Sequence, residues 1–135
     1  MGREEIIRHF TGPRSRGIRR LRLDVYIPFD FNAAQLAPGK NPQLEEMAAA
    51  LGDARLRNRS FRVGGHTDRI GSREYNLELS KSRAEVVRDR LIQEHGIEPN
   101  RLVARGFAFD DALDPSETPE ADATNRRVDF QLIRE

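Results

Sequence analysis

Four stretches of the chain alternate apolar and polar residues with a period of two, the mark of a half-buried strand. Leu21, Leu23, Val25 and Ile27 alternate with Arg22, Asp24 and Tyr26. Phe61-Arg62-Val63 is a shorter case that runs into Gly64-Gly65, and Leu102-Val103-Ala104 is another, stopped at Gly106. Val128 to Ile133 closes the series. Pro28 has no amide proton to give a ladder, so it ends the first strand, and Phe29-Asp30-Phe31-Asn32 reads as loop.

Helical spacing fills the gaps. Leu44, Met47, Ala48 and Leu51 fall on one face of a helix that starts at Asn41-Pro42 and stops at Gly52. A second helix starts between Ser72 and Tyr75, carries Ala84, Val87, Leu91 and Ile92 as its apolar stripe, and ends at Gly96, with Pro99 forbidding continuation. Ser80 in its middle is expected to mark a kink or a fresh cap, and Arg88 and Arg90 are expected on its outer side. Residues 107–124 hold six acids, two prolines and no base, and read as a long solvated loop whose carboxylate spacing fits no EF-hand.

The order is strand, helix, strand, helix, strand, long loop, strand. Strand–helix–strand units imply right-handed crossovers and parallel neighbours, and the last strand, with no helix before it, should run antiparallel. The fold class is therefore an α/β two-layer sandwich, β-α-β-α-β-β, with a mixed sheet and helices on one face. Residues 1–20 read as a basic N-terminal arm or linker, and residues 21–135 as the domain. Within the arm, Ile6, Ile7 and Phe10 could share one side of a short helix before Gly12-Pro13 breaks it.

Composition narrows the function. The chain has 135 residues, 37% hydrophobic and 33% charged, enough for one core under a charged surface. Net charge is +1, and the arginines are not interleaved with aromatics, so nucleic acid is not an expected partner. The charge is uneven: residues 1–22 carry seven Arg against two Glu. With no cysteine there is no disulfide or thiolate metal site. No histidine has a second at metal-ligand spacing, and no cofactor motif is present. No apolar run could span a membrane or act as a signal peptide, so the chain reads either as cytoplasmic or as a soluble piece whose targeting segment lies outside it.

Three chemistries compete. His66 and Asp68 could form an acid–base pair of a hydrolase, but His66 is expected to be a structural residue that hydrogen-bonds loop backbone instead. Asp68 and Arg83, fifteen residues apart on a loop and a helix, could face one gap. A carboxylate accepts from an ammonium and a guanidinium donates twice to a carboxylate, so the pair could grip an amino-acid head. The same two residues could simply pair with each other.

The run Gly65-His66-Thr67-Asp68, Gly71-Ser72, Tyr75-Asn76, Leu79-Ser80 and Arg83-Ala84 strongly resembles the OmpA-like peptidoglycan-binding domain, shared with the peptidoglycan-associated lipoproteins and MotB. Phe29-Asp30, Pro99-x-Arg101-Leu102, Gly106-Phe107 and Asn125-Arg126-Arg127-Val128 extend the match. Gly64 stands where the family often has an acid, and Gly106-Phe107-Ala108 replaces the usual Gly-Tyr-Gly.

The resemblance implies a non-catalytic domain that binds the diaminopimelate of cell-wall stem peptides. Asp68 would meet the ammonium and Arg83 the carboxylate. Asn76 and Thr67 would line the pocket with the motif's Leu79, the Asp30–Asn32 loop would supply backbone donors, and Arg126 a flanking contact. It also implies a periplasmic place beside the outer membrane, with residues 1–20 tethering the domain to an anchor or another domain. The alternative is a structural or partner-binding domain that kept the fold and lost the pocket.

Overall fold

A computed structural model of the chain describes residues 2–12, 22–25, 27, 29, 34, 36 and 41–134. In chain order its elements are α1 (Arg3–Thr11), β1 (Arg22–Val25), α2 (Pro42–Leu51), β2 (Ser60–Gly65), α3 (Arg73–His95), β3 (Leu102–Gly106), α4 (Pro119–Asn125) and β4 (Val128–Arg134). A single 3₁₀ turn, Pro99–Arg101, leads into β3. Among the described residues the strands form one sheet in the order β1-β4-β2-β3. β2 and β3 are parallel, as a helical crossover requires, and β4 is antiparallel to both β1 and β2. The mixed two-layer sandwich is therefore present. Its first strand–helix–strand unit differs from expectation, because β4 inserts between β1 and β2 and takes both their edges.

One face of the sheet is the core. Phe61, Val63, Val128, Phe130 and Leu132 point into it and meet Leu44, Met47 and Leu51 of α2 and Ala84, Val87 and Leu91 of α3. The stripes that spacing assigned to the two helices are the buried ones. α2 starts on the Asn41 side chain, which accepts from Leu44 N at 3.0 Å, and ends at Gly52, whose N–H reaches Ala48 O at 3.0 Å. In α1, Ile6, Ile7 and Phe10 are fully buried. Phe10 sets its ring edge-on to Phe61 at 5.0 Å, and Arg59 donates to Phe10 O at 3.0 Å.

α3 runs unbroken from its cap at Ser72, whose Oγ accepts from Tyr75 N at 3.1 Å, to Gly96 in the left-handed region at φ 69°. Ser80 neither kinks nor caps it. Its Oγ donates back to Leu77 O at 3.0 Å and accepts from Ala108 N at 3.1 Å. This is where the strand ends touch the helix. A Cβ on Gly65 would lie 2.0 Å from Ser80 O, and one on Gly106 would lie 2.5 Å from Lys81 N. Only a residue without a side chain lets backbone approach backbone so closely.

Two expectations are corrected. Arg88 is not on the outer side: its guanidinium donates to Leu102 O at 2.9 Å and Pro99 O at 3.0 Å, tying α3 to the start of β3. Arg90 is also largely covered, its side chain 20% exposed beside Glu94. The long polar stretch contains α4, capped by Thr118, whose Oγ1 accepts from Ala121 N at 3.1 Å, with Pro119 in the first turn.

The second face of the sheet is polar. Asp129 of β4 is wholly buried there and takes two bonds of 3.0 Å from Arg62 Nη2.

Candidate functional site

The motif's loop starts where β2 ends. His66 N donates to Arg127 O and Thr67 N to Ala108 O, each at 2.9 Å, so the backbone stays pinned between its neighbours as it leaves the sheet. Beyond the end of β2 the chain no longer follows strand alternation: His66 lies against Asp129 on the polar face, and Asp68 lines the cleft beside α3. Asp68 Oδ1 accepts from Ile70 N at 3.0 Å, which closes the loop on itself. Gly71 supplies a φ of 100°, and Asn76 Nδ2 donates to Ile70 O at 2.9 Å, fastening the loop to α3.

Asn76, Leu79 and Arg83 follow one another at helical spacing and share the face of α3 that looks onto this loop. Thr67, Asp68, Ile70, Asn76, Leu79, Arg83 and Arg126 line one narrow cleft whose open volume is about 10 Å³, so a guest larger than a water molecule must displace a lining side chain. Asp68 and Arg83 are only 4% and 3% exposed. The Arg83 guanidinium also lies 5.1 Å from the centre of the Phe29 ring, a cation–π contact. Burial pushes the Arg83 guanidinium down from its ordinary value, Asp68 pulls it back up, and the Arg126 charge lowers it again. A guanidinium does not give up its proton in practice, so Arg83 keeps its charge in this buried place. Asp68 Oδ2 receives a bond of 2.7 Å from Arg126 Nη1, which reaches in from the C-terminal end of α4.

Six of the eight residues expected at the site, Thr67, Asp68, Asn76, Leu79, Arg83 and Arg126, thus come together. Asp30 and Asn32 lie outside the described residues. Ile70 also lines the cleft and Phe29 lies against Arg83, and neither was among the expected site residues. Phe29 stood in the extended motif, but an aromatic carries no polar signal of its role.

His66 is not in the cleft. Its ring stacks on Phe107 at 5.3 Å, and its Nε2 lies 3.2 Å from Asp129 Oδ2, so its partner is a buried carboxylate and not the loop backbone that was expected. Burial pushes the Asp129 carboxyl up, but His66 and Arg62 more than offset this and hold it below the usual range. His66 and Asp68 therefore form no acid–base pair. Among the described residues no three carboxylates or histidines could hold a metal ion, and no helix is long and apolar enough to cross a membrane.

A more open groove between α3 and β3 is lined by Glu85, Arg88, Asp89, Val103 and Arg105. Its Arg88–Asp89 pair stands 3.8 Å apart with Asp89 57% exposed, so water screens it. The smaller cleft is where charge is buried.

The OmpA family model matches residues 28–126. Outer membrane porin F of Pseudomonas aeruginosa is 34% identical over 116 residues, which is 86% of this chain and 32% of that protein. The chain spans about a third of the length of the curated relatives it matches. Among solved structures, a MotB-like protein from Desulfovibrio vulgaris is 34% identical with a TM-score of 0.70, covering 86% of this chain and 73% of that one. The peptidoglycan-associated lipoprotein of Burkholderia pseudomallei is 28% identical, also with a TM-score of 0.70, covering 82% and 89%.

Proposed function

The chain belongs to the OmpA family, and on that premise we propose that it is a non-catalytic module that associates with peptidoglycan in the cell envelope, on the periplasmic side of the outer membrane. The relatives support the general association: they include outer membrane proteins and a peptidoglycan-associated lipoprotein. The finer reading is that the cleft takes the free amino-acid head of diaminopimelate in the stem peptide.

One observation carries that reading. A carboxylate and a guanidinium, both nearly sealed from water, line the same small cleft. Buried charge is costly unless it is paired. A zwitterionic head matches both charges at once: its ammonium suits Asp68, its carboxylate the fork of Arg83. Thr67 and Asn76 line the walls, Leu79 offers apolar contact, and Arg126 flanks the head.

Calorimetric titration with a diaminopimelate-containing stem peptide tests this. The native protein should bind, and Asp68→Ala or Arg83→Ala should weaken binding more than about a hundredfold, since either leaves an unpaired buried charge worth roughly 3–5 kcal/mol. Asp68→Asn, close in shape, guards against a variant that fails to fold. Folded variants that bind like the native protein would point to the alternative, a structural or partner-binding domain. Raising salt should weaken binding only modestly, because a buried site is poorly screened. Muropeptides should survive long incubation intact. Their cleavage would revive the hydrolase reading.

A further inference from the structure

The two oxygens of Asp68 have different duties. Oδ1 is committed to the loop's own fold through Ile70 N at 3.0 Å. Oδ2 faces the cleft, and Arg126 Nη1 holds it at 2.7 Å. The Asp68 side chain is 5% exposed while that of Arg126 is 36% exposed, so Arg126 leans in from the rim over a sealed carboxylate. Its backbone is fixed at the end of α4, where its N–H reaches Asp122 O at 3.2 Å. Asp122 is itself held by Arg69 Nε at 3.1 Å, one residue along the chain from Asp68. The base of the Arg126 side chain is therefore anchored while its charged end, part-exposed at the rim, reaches Asp68.

We propose that Arg126 is a specificity-determining residue, standing in for the ligand's ammonium on Asp68 and yielding that place only to a ligand that brings a carboxylate in exchange. This rests on the reading of the cleft as an amino-acid-head site. The described residues lining the cleft include two cations, Arg83 and Arg126, and one anion, Asp68. The two cations already act unfavourably on each other, since the Arg126 charge lowers Arg83. An amine without a carboxylate would displace Arg126 from Asp68 and add a third positive charge to a lining whose described residues hold one anion. A zwitterion adds no net charge. Its ammonium takes Oδ2, and its carboxylate gives the released Arg126 a new partner beside Arg83. Discrimination thus comes from a repulsive element as well as an attractive one.

The test is a pair of titrations by nuclear magnetic resonance or calorimetry. One ligand is diaminopimelate. The other is its diamide, which keeps both ammonium groups and has no carboxylate. The native protein should prefer diaminopimelate at least about tenfold. In Arg126→Gln the diamide should bind about three- to tenfold tighter than it does to the native protein, because the competing ion pair and one repulsive cation are gone. Arg126→Lys, which keeps the charge, should retain most of the native preference. A purely structural role would weaken both ligands alike. If diaminopimelate binds the native protein and the diamide gains nothing in Arg126→Gln, this role for Arg126 is wrong and the site reading stands. If diaminopimelate does not bind the native protein at all, the site reading falls and this role falls with it.

Discussion

Charged side chains inside this domain are placed by what they hold. Arg101 is 7% exposed, and its guanidinium donates to Arg59 O at 3.0 Å, Leu51 O at 2.9 Å and Leu56 O at 2.8 Å. It closes the end of α2 and the turn after it. Arg101→Ala would strand three carbonyls, and urea denaturation should show a loss of about 3 kcal/mol or more. Asp129 gives a pH signature. Against burial, His66 and Arg62 hold its carboxyl below the ordinary range, so the folded state takes up that proton less readily than the unfolded chain. The stability it contributes is complete above the unfolded value near pH 4 and is lost as pH falls through the lower folded one. Asp129→Asn should therefore be the less stable protein at pH 7, and the gap to the native protein should narrow as both are acidified. A gap that stays constant down to about pH 2 would contradict this account. Among the expected site residues, Asp68 and Arg83 were legible as an acid on a loop and a base on a helix, whereas Thr67, Asn76, Leu79 and Arg126 were implied only by the family resemblance. Ile70 and Phe29 were neither, since apolar side chains look like core until coordinates show what they touch.

At the scale of elements, legibility followed periodicity. α2 and most of α3 bury the faces that their spacing assigned, and their caps at Asn41, Ser72 and Gly96 are real. α4 was hidden because residues 107–124 offer many acids and no apolar stripe, although Thr118-Pro119 was a start signal in plain view. Arg88 was misplaced for a related reason. Helical periodicity sorts by polarity, and a long side chain on the boundary can turn inward when carbonyls await it. Ser80 looked like a cap and is instead the point where α3 meets two strands. Gly65→Ala would force a Cβ to 2.0 Å from Ser80 O, a backbone atom that cannot swing away. The expected loss is about 3 kcal/mol or more, read by chemical denaturation, because β2 and α3 must separate. Gly96→Ala has open space around it, so only the left-handed backbone is penalised, and a loss of about 1 kcal/mol is expected.

For the whole molecule, the arrangement of strands explains where the site lies. β2 delivers Thr67 and Asp68 at its carboxyl end, α3 delivers Asn76 and Arg83 from the layer above, and α4 delivers Arg126 just before β4. Three separated stretches meet only because β4 is threaded beside β2. Sequence spacing could suggest the first two but not that insertion. α1 lies outside the matched family residues yet packs into the same core. Phe10→Ala should cost about 3–5 kcal/mol in denaturation, as for any large buried aromatic. A change under about 1 kcal/mol would mean that the helix is not part of the cooperative unit. The claim on which the functional account rests is that the cleft between loop and helix holds an amino-acid head. A crystal structure determined with saturating diaminopimelate tests it most directly. The account predicts density for the head between the two side chains, ammonium on Asp68 Oδ2 and carboxylate on Arg83. Ligand bound instead in the groove between α3 and β3, or no ligand in the cleft at saturation, would contradict it.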